Sequence, residues 1–196
     1  MTGESPGTPP GAADYARACV SQLVRGRKVP RAPDHPLYDV RAACFVSLKK
    51  GGGLRGCIGT LTPAEADLGH EIARNACSAA FEDPRFVPVR EDELEALACT
   101  VDILSPSEPC SYAELDPAHY GVIVRSGSRR GLLLPDLEGV DTVEDQVGIA
   151  RQKAGIRPGE RCDLERFTVI RCREGEAAEA TLVAMAAATP DGEVHG

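Results

Sequence analysis

The chain has 196 residues, 42% hydrophobic and 27% charged, with 22 Lys and Arg against 30 Asp and Glu for a net charge of -8. That length suits one domain, or one domain with a small lobe, and is enough to bury a full core. An acidic chain without a basic block is a poor nucleic-acid or anionic-membrane binder, and no apolar run approaches the roughly 18 residues of a transmembrane helix.

Residues 1–11 are Gly, Pro, Ser and Thr with little else and are predicted to be a disordered arm. The start MTGESPGTPPGAAD has no positive n-region and no apolar h-region, so it does not read as a secretory signal. Residues 12–26 suit a helix with Tyr15, Ala18, Cys19 and Leu23 on one stripe, stopped by Gly26. Three prolines make 29–37 a linker. Residues 40–48 and 54–61 read as two strands around the turn KKGGG, a hairpin. Residues 65–81 suit a helix with Leu68, Ile72, Ala76 and Ala79 on one face, stopped by Asp83-Pro84. Residues 96–104 alternate like a strand closed by Ser105-Pro106.

Residues 119–127 and 131–135 flank the turn SGSRR and predict a second hairpin. Residues 141–154 form an amphipathic helix capped by Asp141 or Thr142, with Val143, Val147, Ile149 and Ala150 as its apolar face and Gly155 as its end. Residues 164–173 read as a last strand, and 174–196 as an Ala- and Glu-rich tail, a frayed helix or disordered. Strands joined both by hairpins and by helices argue for α+β with a mixed or antiparallel sheet flanked by helices, not a doubly wound parallel sheet.

Eight cysteines stand at positions 19, 44, 57, 77, 99, 110, 162 and 172. No pair is spaced C-x-x-C, and the four histidines form no H-x-x-x-H pair, so no local metal motif and no cofactor are expected of this chain. All but Cys57 read as reduced, buried, small hydrophobes.

Cys57 stands apart because of LRGCIGT, residues 54–60. In a strand, Arg55, Cys57 and Gly59 share one face while Leu54, Ile58 and Thr60 take the other. Arg55 and Cys57 are then about 6.6 Å apart at Cα, within reach of a guanidinium that would favour the thiolate. Gly56 and Gly59 weaken a strand, which suggests a bulge or the close approach of another backbone or a ligand. His35, His70 and His119 are the available bases, and spacing places none of them. In the second stretch, DPRF at 83–86, Arg85 could fork an anion, with Glu82 or Asp83 as proton acceptor; helix termination with an Asp–Arg turn lock is the simpler reading. The third stretch is RRGLLLP, 129–135, a hairpin with a solvated basic turn.

LRGCIGT, DPRF and GLLLP in that order, with LSP at 104–106, HYGVIV at 119–124 and QKAGI at 152–156, resemble the AMMECR domain family, and within it the A proteins of the AmmeMemoRadiSam system. The resemblance spans about residues 12–173 as a single domain. It implies a compact α+β fold with a larger sheet-and-helix lobe and a smaller strand-rich lobe, in a cytosolic protein. It also implies the company of a Memo-like protein, which looks like a metal-dependent dioxygenase relative, and of a radical S-adenosylmethionine enzyme. By motif match the functional cysteine falls on Cys57 with Arg55 beside it, and Gly56, Gly59, Thr60 and Arg85 line the substrate side. The family often has Gln-Val after GLLLP, where this chain has Asp136-Leu137, and an aromatic at the next helix start, where it has Thr142-Val143. The cysteines are too scattered for a radical S-adenosylmethionine cluster, so any iron–sulfur or metal work belongs to a partner. Three readings follow for the cysteine stretch: an active site built on Cys57, a binding and accessory module that uses the same glycine-thinned shelf, or a structural cysteine in a protein whose site lies elsewhere.

Overall fold

The computed structural model describes residues 10–188. The described residues divide into two compact units, one of residues 10–103 with 170–188 and one of residues 104–169. The stretch resembling a single domain therefore holds two units, the second inserted in the chain of the first.

The first unit carries helix α1 (Ala12–Val24), strands β1 (Ala43–Lys50) and β2 (Gly53–Gly59), helix α2 (Leu68–Phe81) and strand β3 (Leu97–Leu104). The inner face of β1 is Cys44, Val46 and Leu48, all fully buried. It meets the α2 stripe Leu68, Ile72, Ala76 and Ala79, the four positions that helical spacing put on one face. Asp67 starts α2 by accepting the His70 N–H at 2.9 Å. The α1 stripe is rotated from the expected one. Ala12, Ala13, Tyr15, Ala16, Cys19 and Val20 are buried, while Ala18 is exposed. Its small residues let α1 lie close to its neighbours, which periodicity alone does not weigh.

The second unit carries strands β4 (Glu108–Pro109), β5 (Gly121–Ser126) and β6 (Arg129–Leu133), helix α3 (Val143–Ala154) and strand β7 (Asp163–Phe167). From Ile170 the chain returns to the first unit, with most of strand β8 (Val169–Arg173) and helix α4 (Ala178–Ala188). The two sheets run β2-β1-β3-β8 and β4-β7-β5-β6. The β1–β2, β4–β7, β5–β6 and β5–β7 pairs are antiparallel, so the fold is α+β with a smaller strand-rich unit. Among the described residues no helix is long and apolar enough to cross a membrane.

Several expectations change. The stretch 164–173 is not one strand but two, one in each sheet, broken at Thr168. There Ser105, closing β3, donates its backbone N–H to the Thr168 carbonyl at 3.0 Å and accepts the Thr168 N–H on its hydroxyl at 2.9 Å. The second hairpin is tighter than SGSRR. Ser126 pairs with Arg129 across Gly127-Ser128, and Gly127 sits at φ +59°, so both arginines belong to β6. In α3 the buried face includes Gln146, fully enclosed, whose amide donates to the Tyr120 carbonyl at 2.7 Å. Thr142 caps that helix and Gly155 closes it at φ +64°. Of the arm, Pro10 bridges Ala177 and Gly11 is the N-cap of α1, while residues 1–9 lie outside the described residues. Of the tail, 178–188 form α4 and 189–196 lie outside the described residues.

Candidate functional site

Strand β2 lies at the edge of its sheet, so alternate residues point their backbone groups away from β1. Gly56 and Ile58 face Leu48 and Val46, and Thr60 donates its N–H to the Cys44 carbonyl at 3.1 Å. Cys57, between them, sends its N–H and C=O outward. Asp83 accepts that N–H at 2.9 Å, and Arg85 donates from Nη2 to that carbonyl at 3.2 Å. The DPRF turn thus closes the open edge that Cys57 would otherwise present.

Asp83 is 4% exposed and accepts from Arg85 three times: from Nη2 at 2.7 Å, from Nε at 2.9 Å and from the backbone N–H at 3.1 Å. The Arg85 guanidinium holds the Asp83 carboxyl far below the usual carboxylate range, with the Cys57 N–H adding to the effect against desolvation. Arg85 lies over the Phe86 ring, 5.5 Å from its centre. The Asp–Arg turn lock is therefore present, and it reaches the cysteine.

The β1–β2 register shifts between Leu48 and Lys49, leaving Arg55 without a partner on β1. Such a bulge re-aims its side chain. Arg55 does not turn to the thiol. It forms a two-pronged pair with Glu93, from Nε to Oε1 at 3.0 Å and from Nη2 to Oε2 at 2.9 Å, and also donates to the Pro88 carbonyl at 3.2 Å. Glu93, nearly buried in the turn Glu91–Ala96, also receives Lys50 Nζ at 3.0 Å and the Arg90 N–H at 3.1 Å. Arg55 is the main cause that holds Glu93 far below the usual carboxylate range, and Glu93 in turn raises Arg55.

The thiol itself faces Ser47, directly opposite on β1, whose hydroxyl donates to Sγ at 3.2 Å. Because the Cys57 backbone points outward, this is a non-hydrogen-bonded pair, the kind in which facing side chains are closest. The described histidines bond elsewhere: His35 with Glu179 at 3.1 Å, His70 with Asp67 at 2.8 Å and His119 with Asp116 at 2.8 Å.

The shelf glycines are filled from within. A Cβ on Gly56 would meet the Ala79 carbonyl oxygen at 2.2 Å, and one on Gly59 would meet the Phe45 ring at 2.3 Å. Both bulge and close backbone approach are thus realised. Thr60 turns inward and donates its hydroxyl to Glu71, a fully buried carboxylate that also accepts the N–H groups of Ala64 at 2.9 Å and Glu65 at 2.7 Å. Ser47, Glu71 and Glu93 carry no motif signal, and only the fold brings them to β2; Asp83 was legible through DPRF.

Elsewhere the thiols divide. Burial pushes Cys19 and Cys172 up to about 11 and Cys44 and Cys99 up to about 12. Cys57, Cys77, Cys110 and Cys162 are half-buried, and all eight are free. Among the described residues no group of three or more His, Cys, Asp and Glu is arranged to hold a metal ion.

The model of the AMMECR1 family matches residues 13–172. The chain belongs to the AMMECR1 family. This AMMECR1 chain is 56% identical over 138 residues to a protein of Thermotoga maritima, covering 69% of this chain and 79% of that protein. It is 46% identical over 163 residues to a protein of Clostridium acetobutylicum, covering 81% of this chain but 35% of the clostridial one, so there the AMMECR1 stretch is about a third of a longer chain. The crystal structure of an uncharacterised protein from Pyrococcus horikoshii matches it with a TM-score of 0.77 at 27% identity, over 86% of this chain and 91% of that one.

Proposed function

We propose that this chain is the A component of an AmmeMemoRadiSam system, working with a Memo-like protein and a radical S-adenosylmethionine enzyme, and that the edge of β2 at Cys57 is its working site. In this reading the thiol meets a substrate or partner group, and Arg85, whose side chain is 55% exposed, holds an anionic group beside it. Arg55 acts at one remove, setting the strand edge through Glu93. The observation that carries the reading is the double fixing of Cys57, N–H on Asp83 and C=O on Arg85. A reactive or binding group gains from being held in place before its partner arrives. The longer clostridial relative supports a domain that works beside other protein segments.

A second reading makes the same edge a binding surface with no bond chemistry at sulfur. It is favoured by the Ser47 hydroxyl as the bonded neighbour of Sγ, since a hydroxyl is a poor general base for a nucleophilic thiol. Reconstitution with the Memo-like and radical S-adenosylmethionine proteins separates the readings, with association and consumption of S-adenosylmethionine measured together. Thiol chemistry predicts that folded Cys57→Ser associates but stops consumption. A binding surface predicts that Cys57→Ser keeps both and that Arg85→Ala loses association. Wild-type protein that neither associates with nor affects the other two contradicts the system assignment.

A further inference from the structure

The second unit contains two cysteines, Cys110 and Cys162, and the sheet brings them together. Strands β4 and β7 pair Pro109 with Glu165, and the Cys110 N–H donates to the Leu164 carbonyl at 3.0 Å, extending the ladder by one residue. Cys110 therefore faces Leu164. Cys162, two residues before Leu164, lies diagonally across on the same side. Both are half-buried and pack on the core cluster of this unit. Arg151 of α3 donates from Nη1 to Cys162 Sγ at 2.9 Å and from Nη2 to the Glu160 carbonyl at 2.6 Å, which holds that sulfur in place.

We infer that Cys110 and Cys162 are a modification site, a thiol pair that closes reversibly into an intramolecular disulfide when it meets a low-molecular-weight disulfide. Diagonal neighbours are about 7–8 Å apart at Cα, and a disulfide spans up to about 6.8 Å. Cys110 follows the last residue of β4 and Cys162 precedes the first of β7, so closing the gap takes a movement of these two strand ends.

The steps balance. Cys162 sulfur attacks one sulfur of the small disulfide, whose S–S bond breaks; one small thiolate leaves and takes up the proton that Cys162 gave to solvent. Cys110 sulfur then attacks Cys162 sulfur in the mixed disulfide, the protein S–S bond forms, and the second small thiol leaves protonated. Two electrons pass from the cysteine pair to the small disulfide. Burial pushes the Cys110 thiol up, which disfavours it as the first attacker.

The test is incubation of the full native chain with oxidised glutathione, alkylation of the remaining thiols, and unreduced peptide mass spectrometry. The expected result is a linked pair of peptides bearing Cys110 and Cys162, lost on reduction, with alkylation of both falling at least about tenfold. In Cys110→Ser the same treatment should leave a lasting glutathione adduct on Cys162. A lasting adduct in the wild-type chain, full alkylation of both cysteines, or linkage of either to another cysteine would overturn the inference.

Discussion

Strands β2 and β6 are edge strands of different sheets, and each carries a glycine pressed against a helix. A Cβ on Gly56 would meet the Ala79 oxygen of α2 at 2.2 Å, and one on Gly131 would meet the Ala150 oxygen of α3 at 2.1 Å. Both glycines belong to motifs, LRGCIGT and RRGLLLP, and both are explained by packing alone. The difference lies in what else each strand bears. The β6 edge bears Arg129 and Arg130, with Arg129 tied to Glu160 and to the Gly155 carbonyl at 2.7 Å. The β2 edge bears a half-buried thiol whose backbone is fixed by Asp83 and Arg85 and whose neighbour Arg55 is fixed by Glu93. A motif glycine therefore says little about chemistry here; the carboxylate–arginine pairs around Cys57 say more.

The largest effect should come from the shared device. Gly56→Ala and Gly131→Ala should each cost about 3 kcal/mol in urea unfolding, because a backbone carbonyl cannot yield as a side chain can. Tolerance of one and not the other would break the parallel between the units. Gly59→Ala should also destabilise, through the Phe45 ring, so a bulky residue there reports folding before it reports binding.

Next comes the clamp that β6 lacks. Asp83→Asn should cost about 2 kcal/mol, reduced from the value for a fully buried pair because Arg85 is half in solvent. Its pH signature is specific. Asp83 and Glu93 are held below the ordinary carboxylate range in the folded chain, so their added stability is complete above about pH 4.5 and is lost as the pH falls. Asp83→Asn and Glu93→Gln should flatten the acid limb of the urea midpoint between pH 7 and pH 3. An unchanged limb would mean that the clamps are loose in solution. The smallest effect is Ser47→Ala, about 0.5–1 kcal/mol for one hydrogen bond to sulfur.

The comparison also shows what local sequence can carry. The α2 stripe, the Thr142 cap and the Gly155 stop depend on neighbours within a turn or two, and they were legible. The Asp83–Arg85 lock was legible because its partners are two residues apart. Arg55 was misplaced because its competing partner, Glu93, is 38 residues away and carries no signature. The break at Thr168 was hidden because 164–173 alternates as one strand, and only the Ser105 latch, 63 residues distant, divides it. Thr60 and Glu71 meet only once α2 folds onto β2.

The most direct measurement is the alkylation rate of each cysteine in the native full chain, read by peptide mass spectrometry with and without the Memo-like protein. If the clamped edge of β2 is the working site, Cys57 reacts in the free chain and is protected at least about tenfold by the partner. Cys44 and Cys99 should stay silent in both cases. Equal labelling of Cys57 with and without the partner would contradict the account.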